Sequence, residues 1–398
     1  MMGHNSTRDT VVPEDPAIAT QEAAFGGFYS GKRVLVTGHT GFKGGWLSLW
    51  LHRLGAAVHG YALNPPTEPS LFQSACIGKV LTSDTRGDLA DLERLKSVLG
   101  TSQPDVVFHL AAQPIVRESY RDPLGTLAAN VMGTAHVLEA ARAIGSVRAL
   151  VVITTDKVYE NREWVYPYRE VDPLGGYDPY SASKAAAEIV AASYRASYFT
   201  GEAGHPARVA TTRAGNVIGG GDWAADRLVP DCLRAFANHE PVHLRFPHAV
   251  RPWQHVLEPL AGYLQLGARL CAPEGVRFAK GWNFGPDTSG NATVGEIART
   301  LARLWGEDAR VDLVPSAQNP HEAGLLTLDS TLARTQLDWK PCWSLEHALA
   351  QTTGWYRAWT RGVDMATVSL GQIREWEARA NYELTFRNPG IAYTSVSE

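Results

Sequence analysis

Two short stretches hold the residues most able to do chemistry. Ile153-Thr154-Thr155-Asp156-Lys157 closes an apolar run, and Asp178-Pro179-Tyr180-Ser181-Ala182-Ser183-Lys184 opens a helix-like pattern. Together they offer a hydroxyl, a carboxylate, an amine and a phenol with a second amine nearby. Such a set can carry out redox and proton chemistry on one substrate, whereas a plain dehydrogenase needs only part of it. Tyr180 and Lys184 are four apart, so on a helix they share a face. An ammonium there stabilises phenolate and lowers the phenol's pKa. The Thr155 hydroxyl can bond the same substrate oxygen. Asp156, as an acid, can protonate a departing hydroxyl. Lys157 can remove a carbon-bound proton only as a neutral amine; from a reference value of about 10.4 it needs burial and the nearby Lys184 to bring it down. The blander reading of Asp156-Lys157 is a solvated turn after a strand, and that of Tyr180 and Lys184 a surface pair.

The surrounding pattern must place these groups. Arg33-Val34-Leu35-Val36-Thr37 reads as a strand, followed by Gly38, Gly41 and Gly44 and then an amphipathic helix through Trp46, Trp50 and Leu54 that Gly55 is placed to end. Further strands fit 57–61, 105–111 and 149–153, with helices at 127–143 and 181–198. Strand and helix alternate over about 200 residues, which implies an α/β fold: a Rossmann-type, doubly wound parallel sheet covered on both faces. Glycines between the first strand and its helix allow a pyrophosphate to approach the helix N-terminus. The acidic residue expected about 20 residues on is replaced by Asn64, so NAD is the expected cofactor with NADP left open. Lys43, and His39 when protonated, add positive charge there. Asp88 can contact the adenine or be an ordinary loop carboxylate.

After Asn216 the chain becomes richer in glycine, proline and aromatics, with helical stretches at 257–270, 294–304 and 345–359. These fit a smaller, mainly C-terminal substrate-binding lobe. The division expected is a disordered leader at 1–27, a dinucleotide-binding domain at 28–215, and a lobe at 216–398 with segments that return to the first domain. Asn216, Arg227 and Arg251 can hold a diphosphate, Arg by its rigid fork of donors. Trp164, Tyr166 and Tyr168 can shield the site or, more simply, pack the lobes. The stretch after Arg374 suggests no role.

With 398 residues, 44% hydrophobic and 20% charged, the chain suits a globular protein with a large core. A net charge of -4 gives no general attraction to nucleic acid or to an anionic membrane. No apolar run approaches the roughly 20 residues of a membrane span, and the N-terminus has no apolar signal region. The four cysteines form no CxxC and fit a reducing cytoplasm; the thirteen histidines show no HExxH, so no metal site is expected.

These residues resemble the extended short-chain dehydrogenase/reductase family and, within it, the CDP-glucose 4,6-dehydratases, over roughly residues 28–359. The resemblance is carried by the run from Thr37 to Trp46, by Thr155-Asp156-Lys157-Val158-Tyr159, by Asp172-Pro173-Leu174-Gly175-Gly176, by Asp178-Pro179-Tyr180 and by the run from Arg213 to Trp223. Arg251-Pro252-Trp253-Gln254-His255-Val256 and His321-Glu322-Ala323 add to it. Related dTDP-glucose enzymes carry Glu where this chain has Lys157, which favours the CDP branch. The resemblance implies that Tyr180 takes the proton of the glucose 4-hydroxyl as carbon 4 is oxidised by NAD. Lys157 then removes the proton on carbon 5, Asp156 protonates the leaving 6-hydroxyl, and the hydride returns to carbon 6, giving CDP-4-keto-6-deoxyglucose for deoxysugar biosynthesis. It implies cofactor contacts from Gly38, Gly41, Phe42, Gly44, Asn64, Asp88, Leu89, Ala111, Ala112, Asn130, Tyr180 and Lys184. Substrate contacts are implied for Gln113, Asn216, Arg227, Arg251, His321 and Glu322. It also implies a homodimer through helices 127–143 and 181–198. The alternatives are a nucleotide-sugar 4-epimerase of the same fold, which needs no acid–base pair at 156 and 157, a noncatalytic dinucleotide sensor, and a dehydrogenase with net redox turnover.

Overall fold

The computed structural model describes residues 24–201, 204–244, 246–306, 309–312 and 324–380. Its strands are β1 (Arg33–Thr37), β2 (Ala57–Ala62), β3 (Ser83–Arg86), β4 (Val106–His109), β5 (Ala149–Ile153), β6 (Arg208–Ala214), β7 (Asn216–Ile218), β8 (Val242–His243), β9 (Val250–His255), β10 (Gly281–Phe284), β11 (Asn291–Thr293) and β12 (Val311–Asp312). Its helices are α1 (Phe42–Arg53), α2 (Leu71–Ser74), α3 (Leu92–Ser102), α4 (Val116–Arg121), α5 (Pro123–Leu127), α6 (Gly133–Arg142), α7 (Pro179–Ser197), α8 (Leu228–Ala237), α9 (Leu257–Cys271), α10 (Val294–Trp305), α11 (Thr331–Gln336), α12 (Leu345–Thr360) and α13 (Met365–Ala380).

The large sheet runs β10-β6-β5-β4-β1-β2-β3 with every pair parallel, the doubly wound order expected. Alternate residues of one strand feed opposite layers. Val34 and Val36 of β1 join a core built with Trp46 and Trp50 of α1 and Leu260 and Leu264 of α9, while Leu35 joins Leu99 of α3, Val137 of α6 and Ala191 of α7. Trp46 and Trp50 are wholly buried, each removing apolar surface from water at about 4–6 kcal/mol before entropic costs.

Local signals explain several boundaries. Asp178 caps α7, accepting from the Ser181 N–H at 2.9 Å, with Pro179 preset for the first turn. The helix expected at 127–143 begins earlier, because Asp122 caps α5 ahead of Pro123, and a π-turn (Ala128–Met132) then carries the chain into α6. β4 is shorter than the expected 105–111; just before it the Asp105 carboxylate accepts from the Arg33 N–H at 2.9 Å, while its backbone N–H donates to the Arg33 carbonyl at 2.8 Å.

Residues 24–27, placed in the expected leader, instead belong to the folded body. Phe25 is buried, its ring 5.7 Å from that of Trp50, because an apolar partner is available there. Residues 1–23 lie outside the described residues. Beyond β6, the three-stranded sheet β11-β9-β7 and the pair β12-β8 pack with α8, α10 and α12. β10 and α9 return to the large sheet, β10 pairing with β6 and α9 lying against β5 and β6. At the C-terminal side, α13 is fastened to α1: Trp376 meets Trp50 edge-on at 5.2 Å and Glu377 pairs with Arg53. No helix of the described residues is long and apolar enough to cross a membrane.

Candidate active site

The carboxyl ends of β1, β4, β5 and β6 meet along one rim of the sheet, where β1 and β4 lead in opposite directions and leave a crevice. At the end of β5, Thr154 and Thr155 run into a single 3-10 turn (Asp156–Val158), and the Thr155 hydroxyl accepts from the Lys157 N–H at 3.4 Å. The first turn of α7 delivers Tyr180 to the same place. Lys184, one turn on, donates from Nζ to the Ile153 carbonyl at 3.1 Å. Thr155, Asp156, Lys157 and Tyr180 thus wall one cavity of about 330 Å³, together with Lys43, Asn216, Arg227, Arg251 and Trp253. The structure therefore brings all five expected catalytic residues to one spot, four on the cavity wall and Lys184 buried directly behind.

The electrostatics of the site differ from expectation. Burial pushes the Tyr180 phenol up to about 12, opposed by the Thr155 hydroxyl and then by the Arg227 guanidinium. Burial, then Lys43, brings Lys184 down to about 7. The expected pull of the Lys184 ammonium on the phenol is therefore not what governs Tyr180 here; desolvation outweighs it and Arg227 supplies the nearby charge. Burial raises the Asp156 carboxyl, against Lys157, the Thr155 hydrogen bond, Arg251 and Lys43. Lys157 is only half-buried, on a wall shared with a neighbouring cavity of about 260 Å³, so its expected enclosure is partial. Burial, then Arg227, pushes Lys43 down to about 8. His39 is not the positive charge expected: burial lowers it, against the Asp84 carboxylate that its Nε2 meets at 2.8 Å.

The glycine loop forms a cradle. Gly38 has φ +78° and backs onto Ala111, whose N lies 2.7 Å from where a Cβ would stand. A Cβ on Gly44 would run into the Gly38 carbonyl, so that position must be bare for α1 to pack. Gly41 caps α1 with no side chain, which leaves the first-turn N–H groups to an anion. This cradle fits a dinucleotide pyrophosphate. Phe42 lines the main cavity beside it. Asn64 is exposed just past β2, and the preceding Leu63 carbonyl accepts from the Thr40 hydroxyl at 3.0 Å. Asp88 accepts from the Ala90 N–H at 2.9 Å, Leu89 packs on Gly133, and Ala111 and Ala112 follow β4 into the crevice. Asn130, set by the π-turn, has both amide donors engaged, by the Gln113 carbonyl and Ser183 Oγ, and its Oδ1 accepts from Gln113 N.

Comparison with known proteins decides the family. The model for GDP-mannose 4,6 dehydratase matches residues 35–352. The chain belongs to the GDP-mannose 4,6 dehydratase family. Among relatives, the CDP-glucose 4,6-dehydratase of Salmonella typhimurium is 50% identical over 351 residues, 88% of this chain and 97% of that one. A solved epimerase of Methanothermobacter thermautotrophicus shares the fold, with a TM-score of 0.73 and 24% identity over 85% of this chain and 96% of its own. The solved MoeE5 in complex with UDP-glucose and NAD has a TM-score of 0.67 and 26% identity, covering 82% of this chain and 99% of its own.

In this member of the GDP-mannose 4,6 dehydratase family the expected substrate residues divide. Asn216, Arg227 and Arg251 line the main cavity. Arg227 is held at 2.8 Å by Asp222, and Arg251 donates to the Val250 carbonyl. Gln113 is placed elsewhere: its amide bonds Ile115 N, Ile115 O and the Thr126 hydroxyl, tying down the loop before α4. His321 and Glu322 lie outside the described residues. The aromatic loop packs rather than covers, Tyr168 stacking on Tyr159 at 5.1 Å and Trp164 tilting onto Tyr168 at 5.5 Å, with Tyr166 left exposed. Sequence reasoning placed Lys43 as positive charge beside the glycine loop and gave Asp222, within the run from Arg213 to Trp223, no role of its own; both stand in the cavity wall. Arg117 of α4 and Asp226, 3.5 Å apart, join the two sides of the cavity.

Proposed function

We propose that this chain is an NAD-dependent CDP-glucose 4,6-dehydratase. One observation carries the reading: an acid, an amine, a hydroxyl and a phenol, at 156, 157, 155 and 180, share one cavity at the rim of a dinucleotide-binding sheet. The glycine cradle, Asn64 and the crevice residues Ala111 and Ala112 would hold the cofactor. NAD, when bound, supplies a reversible two-electron oxidation, removing an electron pair at carbon 4 and restoring one at carbon 6.

The chain's own residues do the rest. Tyr180 accepts the 4-hydroxyl proton as the phenolate, the form that the Thr155 hydroxyl and the Arg227 guanidinium favour against burial. The 4-ketone acidifies the carbon-5 proton, which Lys157 removes. Asp156, whose burial favours its protonated form, gives its proton to the 6-hydroxyl, which leaves as water. Asn216, Arg227 and Arg251 of the cavity wall suit the diphosphate. The CDP moiety rests on the 50% identity to the Salmonella typhimurium enzyme.

We read the lobe beyond residue 216, apart from β10 and α9, as the substrate-binding part. Two copies would pair through α5, the π-turn and α7, where Leu124, Met132 and Ile189 stand 77%, 53% and 60% exposed. Four unpaired cysteines suit a reducing cytoplasm.

The test is incubation with NAD and, separately, CDP-, dTDP-, UDP- and GDP-glucose, followed by mass analysis. Loss of one water from CDP-glucose supports the reading. Isomerisation without mass change would make the chain an epimerase, and inert substrates would leave only a binding role.

A further inference from the structure

Glu188 stands one turn beyond Lys184 and two beyond Tyr180, on the same buried face of α7. Its carboxylate meets four donors: the Thr154 hydroxyl at 2.7 Å, the Thr211 hydroxyl, and Arg213 through Nε at 2.9 Å and Nη2 at 3.1 Å. Both members of the pair are about 5% exposed or less. Burial pulls the Glu188 carboxyl up, but Arg213 and the hydroxyls outweigh it, so the pair is ionised.

Arg213 reaches further. Its Nη1 donates to the Tyr159 hydroxyl at 2.8 Å, and that hydroxyl donates to Asn283 Oδ1 at 2.7 Å. Thr154 directly precedes Thr155, and Tyr159 follows Lys157 by two residues. The segment Thr155-Asp156-Lys157 is therefore suspended between two anchors, and one ion pair grips both. Its acidic member sits on the helix that carries Tyr180 and Lys184.

We propose that the buried Glu188–Arg213 pair is a positioning device that fixes the groups for oxidation, Tyr180 and Thr155, against the groups for elimination, Asp156 and Lys157. Neither residue touches the cavity; they act through Thr154, Tyr159 and α7. The inference rests on the dehydratase reading. Oxidation and water loss must follow one another on one sugar without its release, so an error in the spacing of the two sets affects their coupling more than it affects binding. Misplacement by an ångström can cost about a hundredfold in rate.

The experiment compares wild type with Glu188→Gln, Arg213→Lys and the double variant Glu188→Gln/Arg213→Met, which leaves no lone buried charge. Melting temperature, kcat and KM for CDP-glucose with saturating NAD are measured. An acid-quenched single turnover then gives the ratio of dehydrated to undehydrated 4-keto sugar by mass. Expected is a folded variant with unchanged KM, kcat lowered about a hundredfold and a raised undehydrated fraction, with Arg213→Lys the least affected. Folded variants with wild-type kcat overturn the proposal, as does a loss in which kcat, KM and melting temperature move together, or failure of all three to fold. If wild type itself yields no water-loss product, the dehydratase reading fails. If wild type dehydrates and the variants match it, only this inference falls.

Discussion

The Thr155 hydroxyl donates to Asp156 Oδ1 across 3.0 Å, while Asp156 Oδ2 is buried with no hydrogen-bond partner among the described residues. A carboxylate so placed is short of donors, which suits a group that keeps its proton until substrate arrives. Asp156→Asn should preserve the fold and cut formation of the water-loss product about 10²- to 10³-fold, read by mass analysis. Because burial raises the Asp156 pKa, the acid form persists above the usual carboxylate range. The rate it carries should fall as pH rises through that raised value, and the Asn variant should lack this limb.

Lys157 stands where the main cavity meets its neighbour. Lys157→Ala should bind CDP-glucose with wild-type affinity by calorimetry and lose dehydration about 10²- to 10⁴-fold. Turnover that survives the substitution would remove Lys157 from the proton transfer at carbon 5.

Gly44 and Gly41 should behave differently. A methyl at 44 collides with the Gly38 backbone, whereas one at 41 stands 3.4 Å from the Gly38 oxygen. Gly44→Ala should therefore cost about 1–3 kcal/mol of stability and abolish NAD binding. Gly41→Ala should keep the melting temperature and weaken only NAD binding, because its methyl enters the cradle. Paired thermal melts and NAD titrations check the contrast.

Glu258, far from the catalytic groups, is buried on α9 and accepts from Cys342 N at 2.9 Å, Trp343 N at 2.8 Å and Trp376 Nε1 at 3.0 Å. Burial pushes its carboxyl up to about 7, against those three donors. A raised folded-state value means the native state holds the proton more tightly. Its contribution is complete below the unfolded value near 4.5 and is lost as pH rises through about 7, on the order of 3 kcal/mol at 1.36 kcal/mol per unit. Melting temperature should fall between pH 5 and 8, and Glu258→Gln should flatten that slope while lowering stability by about 1–3 kcal/mol, since its NH₂ must face an N–H donor.

Leu124 and Ile189 predict the assembly. Leu124→Glu with Ile189→Glu should convert a dimer to monomer in sedimentation velocity without changing the melting profile of the isolated chain. A double variant that remains dimeric would place the subunit contact elsewhere.

The glycine loop and the catalytic stretches were legible in the sequence because their signals are local: a strand, fixed glycine spacing and a helix in one run, or a tyrosine and a lysine one turn apart. Charge states were not, since burial of Tyr180 and Lys184 depends on the whole site. Nor was the Glu188–Arg213 clamp, which spans α7, β5 and β6 and looks in sequence like ordinary charges on ordinary elements. β3 and β6 escaped because their threonines, arginines and aspartate break the apolar run, though the neighbouring strands supply the ladder. The contacts of Phe25 and Trp376 with Trp50 of α1, and of Trp376 with Glu258 of α9, join segments far apart in the chain, so the roles of those segments could not be read in advance.

The pairing of β10 with β6 has a consequence during synthesis. From the time β6 is made until residue 284 has emerged, the ribosome-bound chain carries an open strand edge whose natural cover does not yet exist. Another nascent copy could occupy that edge, so yield in a cell should depend on how well holding factors keep neighbouring chains apart over those seventy residues. A fragment cut at residue 215 would meet the same hazard permanently.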